Sequence, residues 1–234
     1  MFNTTIPDHC KRAKLDIGLS YNAPHSQLWL DNNSDDLVVF GFEPAQDCID
    51  SIMSPENKKR HEVHGEPLKR KYIDSGNFVM NQYALGNVEN KETRDFYINE
   101  NDVGTSSLYQ PVSEILGPLK RKTTVDVLSL KMFFDEFPWD KIDHIEYIKI
   151  DAQGEDLNIL KGAGDYLKER VVYVTAEPGA YGYYGAEENS RNNIANYMFK
   201  QGFSIVNHPN TVDPTFINKK FLDKKDDVYI CQLS

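Results

Sequence analysis

Cysteine is scarce in this chain, with three residues at positions 10, 48 and 231 of a 234-residue sequence. None forms a C-x-x-C pair, which argues against a disulfide framework and against a zinc site. Nor is there an apolar run long enough to cross a bilayer. The opening residues MFNTTIPDHCKRAK lack the apolar core of a secretory signal. These absences predict an intracellular, reducing, cytoplasmic location and no membrane partner. Positive charge is also in deficit: 26 Lys and Arg against 36 Asp and Glu leave a net charge of −10. A chain this acidic repels a phosphate backbone, so nucleic acid is not expected as a partner. One basic stretch runs against the trend, Lys58, Lys59 and Arg60 followed by Lys69, Arg70 and Lys71. It reads first as a solvated face and otherwise as a docking surface for an anion.

The length suits one α/β domain over residues 1–234, and it is sufficient to bury a core without disulfides or a structural metal. Apolar runs ended by turn residues predict strands at 13–17, 37–42, 77–80, 146–150, 171–175, 203–206 and 228–232. Three- and four-residue spacing predicts helices at 26–32, 45–53, 155–169 and 190–201, the last stopped by Gly202. Strands alternating with helices argue for a parallel sheet covered on both faces, a three-layer α/β sandwich. The last two strands would pair as an antiparallel edge across the polar loop 207–227. The stretch 94–127 breaks the pattern and reads as a hairpin-and-loop insertion.

In open parallel sheets, ligands bind beyond the carboxyl ends of the strands. Four expected strands end in or beside an acid: Asp16, Glu43, Asp151 and Glu177. Gly18 permits a tight turn and close backbone approach to a ligand, Asp16 can accept from a cationic or amino group, and Pro24 suits a first helical turn. A plain strand-to-helix turn with a capping acid would look the same. Glu43 suits a bidentate hydrogen bond to both ribose hydroxyls, which identifies a nucleoside and not a reaction. The first turn lacks the second and third glycines of G-x-G-x-x-G that admit a pyrophosphate, which disfavours NAD. S-adenosylmethionine carries a sulfonium and no phosphate, so an acidic, glycine-poor rim suits it better. An NAD-linked sugar-nucleotide oxidoreductase or epimerase is the alternative enzyme. A non-catalytic cofactor-binding module is the alternative of a different class.

The segments LDIGLSYNAP (15–24), VFGFEP (39–44), MNQYALGN (80–87), GTSSL (104–108), YIKIDAQGEDLNILKGA (147–163) and VTAEP (174–178) follow one another in this order. Together they resemble the FkbM-type methyltransferases over roughly residues 15–203. The resemblance implies a class I, Rossmann-like fold with seven mostly parallel strands and an antiparallel C-terminal strand. It also implies S-adenosylmethionine as cofactor and methylation of a hydroxyl on a sugar, a glycan or a natural product. Asp16, Gly18, Ser20 and Asn22 would hold the methionine end and Glu43 the ribose. Asn81 and Ala84 would flank the adenine, and Asp151 would face the methyl group. Three departures stand out. Leu19 to Ala23 replace the Gly-Ala-Asn-x-Gly usual after the aspartate, Gln153 stands where an acid is usual, and Lys131 stands where Asp is usual.

Transfer to a hydroxyl needs orientation and a proton acceptor. Asp151 is the expected base, with Glu177 or His208 beside it. In a second reading Asp151 and Glu177 hold a divalent ion such as Mg²⁺ that lowers the hydroxyl pKa. In a third, Asp151 fixes the Gly154 turn. Lys149 is expected to snorkel from its strand. Tyr181, Tyr183 and Tyr184 read as an aromatic loop above the rim, suited to stacking on the face of a sugar acceptor. His25, His61, His64 and His144 read as surface or capping residues.

Overall fold

The computed structural model describes residues 1–33, 35–54, 65–99, 102–179, 181–206 and 211–222. The strand expected at 228–232, His61, His64, His208 and the first half of the basic stretch lie outside them. The main sheet contains β1 (Arg12–Ile17), β2 (Leu37–Phe42), β3 (Phe78–Asn81), β7 (Ile145–Ile150), β8 (Val171–Ala176), β9 (Phe203–Ile205) and β10 (Thr215–Asn218). Its strand order is β3-β2-β1-β7-β8-β10-β9. The first five strands in that order are parallel, while β10 runs antiparallel to both β8 and β9. This is the Rossmann-like arrangement expected, with its antiparallel edge.

Every residue of β2 is buried, because helices cover both faces of the sheet there. On one face, α1 (Pro24–Asn32), α2 (Gln46–Met53) and α3 (Arg70–Asp74) contribute Leu30, Ile52 and Tyr72 to a cluster with Leu37 and Val39. On the other, α5 (Leu130–Glu136), α6 (Asp156–Lys161), α7 (Tyr166–Arg170) and α8 (Arg191–Lys200) pack on Leu15, Phe40, Ile148 and Val174. Phe133 is at the centre of that layer, with ring centroids 5.2–5.7 Å from those of Phe2, Phe40, Phe42, Phe134 and Phe137. The largely edge-on geometry suits the aromatic quadrupole.

Two expectations about elements need correction. The helix expected at 155–169 is two helices, α6 and α7. A Cβ on Gly162 would lie 2.2 Å from the Gly86 carbonyl oxygen, and Gly164 takes φ +58°. The chain therefore kinks where the backbone of another segment passes through. Among the described residues β9 pairs antiparallel with β10, a strand that falls within the stretch read from the sequence as a polar loop. Phe216 is fully buried there, and Asn218 donates to the carbonyls of Lys168 and Val171 at 2.9 Å each.

Between β3 and β7 lies a second, three-stranded sheet, order β4-β6-β5, made of β4 (Ala84–Leu85), β5 (Glu92–Asn99) and β6 (Leu119–Leu128). With a 3-10 turn (Val103–Thr105) and the short α4 (Ser113–Leu116), it forms the insertion. It is tied over the main sheet's carboxyl rim by an antiparallel bridge between Pro111 and Tyr183.

Phe133→Ala should cost about 3–5 kcal/mol, as large buried aromatics do when no neighbour can collapse into the space. A urea titration checks this: the midpoint should fall with the slope unchanged.

Candidate active site

The rim begins at Gly18, which takes φ +83°. A Cβ there would lie 1.9 Å from the Asp151 carbonyl oxygen, so the glycine serves the close passage of β1 against β7. Gly18 also lines both of the cavities that open at the rim. Ser20 and Ala23 also adopt left-handed φ, 53° and 49°. The turn is held by Glu43, whose Oε2 accepts from the Leu19 N–H at 3.1 Å and whose Oε1 accepts from the Ala45 N–H at 2.9 Å. The Ser20 N–H adds a third bond. The acceptor capacity that these N–H groups leave on the carboxylate is available to ligand hydroxyls. Burial pushes the Glu43 pKa up to about 7 against the pull of those N–H groups.

Asp16 has a different task. Its Oδ2 accepts from the Ser26 N–H at 2.9 Å and the Ser26 hydroxyl at 2.5 Å. This satisfies an orphan donor at the start of α1, where Ala23 offers no capping side chain. Its Oδ1 is buried without a hydrogen-bond partner.

Two adjoining cavities open at the rim. The first has apolar walls from Phe42, Leu85, Phe96, Leu108 and Ile159, with Glu43, Asp151 and Glu155 set into them. The second is polar, lined by Asp16, His25, Asp102, Thr105 and others. Gly18, Ser20, Gly104, Asp151 and Gln153 belong to both. Gly104 of the 3-10 turn sits over Ser20, where a Cβ would meet the serine hydroxyl at 2.6 Å.

Of the residues singled out from sequence, Gly18, Ser20, Glu43, Ala84 and Asp151 therefore line the first cavity, and Asp16 lines only the second. Asn22 and Asn81 line neither. Asn22 donates to the Gly65 carbonyl at 2.8 Å, and Asn81 pairs with the backbone of Asn3 at 2.7 and 3.2 Å. Glu177 stands behind Gln153, outside both walls. His25 sits in the first turn of α1, in the second cavity's wall.

Asp151 and Glu177 do meet, through Gln153. The Gln153 side-chain nitrogen donates to Asp151 Oδ1 at 2.6 Å and to Glu177 Oε2 at 3.1 Å. Its side-chain oxygen accepts from the Tyr183 hydroxyl at 2.7 Å, and its backbone carbonyl accepts from Ser107 Oγ at 2.7 Å. Gln153 has φ 52°, a left-handed conformation that surrounding bonds must hold in place. The hydrogen bond to Asp151, with burial, pushes the Glu177 pKa up to about 9. Burial opposes ionisation of Asp151. The bond with Glu177, the Lys149 ammonium and the Gln153 amide outweigh it and keep its pKa below the ordinary carboxylate value. The pair thus shares one proton at neutral pH, with the charge on Asp151.

Lys149 does not snorkel. It is 5% exposed, with Nζ 3.0 Å from the Ile150 carbonyl oxygen, 3.7 Å from Asp151 and 3.9 Å from Asp213. Behind the loop, Asp156 accepts from the Glu177 N–H at 2.9 Å and the Ala152 N–H at 3.3 Å, and burial pushes its pKa up to about 7. Tyr183 is a buried pin rather than a presented ring, while Tyr181 and Tyr184 are 91% and 58% exposed. Among the described residues, no group of three or more His, Cys, Asp or Glu is gathered as a metal site. No described helix is long and apolar enough to cross a membrane.

Sequence reasoning missed the insertion's contribution to the first cavity, Phe96, Val103 and Leu108, along with Gln153 and Glu155 as parts of the wall. The first acid in AQGED was the available sign for Glu155.

The model of the "Methyltransferase FkbM domain" family matches residues 25–205. Comparison with curated proteins gives no match. A solved structure, methyltransferase FkbM from Methylobacillus flagellatus KT, is 15% identical with a TM-score of 0.46. The alignment covers 89% of this chain and 44% of that one, so this chain spans less than half of its length.

Glu43, Asp156 and Glu177 all hold their protons more tightly in the folded chain than at their ordinary values of 4.5, 3.8 and 4.5. The stability they confer is complete below those ordinary values. It is lost as pH rises through about 7 for the first two and about 9 for Glu177. The melting temperature of the ligand-free protein should therefore fall between about pH 5 and about pH 9. Glu177→Gln, which mimics the protonated carboxyl, should flatten the alkaline half of that decline. A flat wild-type profile in differential scanning calorimetry would refute the assignment.

Proposed function

Because the chain belongs to the FkbM methyltransferase domain family, we propose that it is an S-adenosylmethionine-dependent O-methyltransferase acting on a hydroxyl of a sugar or glycan. The observation that carries this reading is the first cavity. It is an apolar slot at the carboxyl ends of β1, β2 and β7 with one carboxylate, Glu43, at the second strand and another, Asp151, at the fourth parallel strand.

The donor set suits the cofactor. Glu43 keeps acceptor capacity for the ribose hydroxyls, Gly18 and Ser20 offer backbone beside it, and Ala84 and Leu85 form an apolar wall for the base. The ionised Asp151 complements a positive sulfur. The buried Asp16 Oδ1, in the adjoining polar cavity, gives an acceptor for an ammonium group. S-adenosylmethionine, when bound, supplies an electrophilic methyl group on a cationic sulfur.

Asp151 is the base in this reading. It accepts the hydroxyl proton as the acceptor oxygen takes the methyl group, and the carbon–sulfur bond breaks to leave a neutral thioether. Gln153 and Lys149 hold the Asp151 carboxyl in place. Glu177, protonated and outside the cavity wall, acts on the reaction only through that pair. The exposed rings of Tyr181 and Tyr184 and the insertion above the rim support a sugar as acceptor, since aromatic faces with polar tips suit a pyranose.

Calorimetric titration with S-adenosylmethionine, S-adenosylhomocysteine and NAD tests the cofactor: both adenosyl compounds should bind, and binding of NAD alone would sink the reading. Affinity for S-adenosylhomocysteine should rise as pH passes through about 7, because only the ionised Glu43 is a full acceptor. Glu43→Ala should weaken that binding at least tenfold, given about 1.5–3 kcal/mol for a charge-assisted hydrogen bond. Unchanged affinity would remove Glu43 from the site.

A further inference from the structure

On the α1 side of the main sheet the cover is incomplete. Among the described residues, the apolar cluster under α1, α2 and α3 takes nothing from β7 or β8, and Tyr147 and Tyr173 are only half-buried. The two are direct cross-strand partners, their rings stacked at 5.9 Å with 19° between the planes. Trp29 of α1 continues the row. Its ring is 5.4 Å from that of Tyr147, and the Lys14 ammonium lies 5.1 Å from the Trp29 ring centre. The three rings line one groove with Lys14, Asn32 and Glu146. That groove leads to the rim. His25, one helical turn before Trp29, has its ring 6.3 Å from the indole and stands with Asp151 in the wall of the second cavity. Alternation along β7 and the residue after it puts Tyr147, Lys149 and Asp151 on one face, and four residues of strand span about 13 Å.

The chemistry of the groove narrows its occupant. Flat rings in a row offer apolar faces, while an ammonium, a carboxylate and a side-chain amide at the margin offer donors and acceptors. Lys14 and Glu146 are of opposite sign, so the groove favours neither an anion nor a cation. An acyl chain or an apolar peptide would cover these polar groups without pairing them, which is costly. A neutral polyhydroxylated chain matches both parts, with pyranose faces on the rings and hydroxyls at the margin. We propose that the groove of Trp29, Tyr147 and Tyr173 binds successive units of an oligosaccharide whose terminal unit enters the second cavity at Asp151. The acceptor is then a glycan of several units and not a free monosaccharide. This rests on the sugar-acceptor reading of the rim and extends it to the length of the acceptor.

Calorimetry on the full chain, with malto-, cello- and chito-oligosaccharides of one to five units, is the test. In at least one series the affinity should rise about fivefold or more from monomer to trimer, as further units stack on further rings. Tyr147→Leu and Tyr173→Leu keep an apolar side chain but lose the flat ring, so each should cancel that gain while melting cooperatively. The sequence has two tryptophans, Trp29 and Trp139. Trp139→Phe therefore leaves the indole of the groove alone, and its fluorescence emission should shift when the trimer binds. Absence of a length-dependent gain in all three series overturns the proposal. So does trimer binding that leaves the Trp29 emission unchanged, or that both leucine variants retain in full. If the trimer binds with these signatures but accepts no methyl group from S-adenosylmethionine, the methyl-transfer reading fails and the groove stands as a glycan site. Methyl transfer to a monosaccharide with no gain from added units leaves that reading intact and removes the groove.

Discussion

At Gly18 the chain of β1 passes so close to the Asp151 carbonyl that no side chain fits between them. The rim is built around that contact. The Gly18 N–H donates to the Phe42 carbonyl at 3.0 Å and the Asp151 N–H donates to the Ile17 carbonyl at 2.9 Å, so the ends of β2, β1 and β7 are locked side by side. Once they are locked, Glu43 at the end of β2 can reach across to the N–H groups of the first turn, and Asp151 at the end of β7 faces the same opening. A bulkier residue at position 18 would separate the two carboxylates along with the strands that carry them.

The insertion completes what the strand ends begin. Ser107 and Tyr183 hold opposite ends of Gln153, one by its backbone carbonyl and one by its side-chain oxygen. The Tyr183 hydroxyl also reaches the Thr105 carbonyl at 2.8 Å. A left-handed glutamine is thus fixed from above by two elements that are distant in sequence, and it in turn bridges two carboxyls below. A glycine would meet the backbone demand of position 153 with less strain, but the glutamine amide donates to both acids and accepts from Tyr183.

Much of this was legible in the sequence where burial is symmetrical. The strand β2 reads as a continuous apolar run because helices cover both of its faces, and the ends of β2 and β7 pointed directly to Glu43 and Asp151. Legibility failed where the decisive partner is remote. Asp16 lines the second cavity, as its place near a strand end suggests, but its bonds to Ser26 at the start of α1 show only in the fold. Asn81 also fastens the N-terminal segment, a contact that no local spacing announces. Glycines at 162 and 164 looked tolerable within one helix, yet they make room for the Gly86 carbonyl and turn the chain. β10 carries only four residues amid polar neighbours, too short for alternation to show. The family pattern drew attention to Gln153 as a departure, but its role depends on Tyr183 and Ser107, which no local spacing connects to it.

Six carboxyls, on Asp16, Glu43, Asp151, Glu155, Asp156 and Glu177, crowd this rim with Lys149 as the buried cation among them. Each carboxyl is accommodated in its own way. Backbone N–H groups stabilise Glu43, Asp16 and Asp156, a shared proton neutralises Glu177, and Glu155 leans on Tyr109 and Asn158. Asp151, which lines both cavities, is the member whose pKa lies below its ordinary value. Apolar walls on one side of it reduce screening, so its field is felt most strongly by whatever occupies the first cavity. A ligand that enters positively charged and becomes neutral on losing a methyl group, as the proposed donor does, is held by this field before transfer and less so after it.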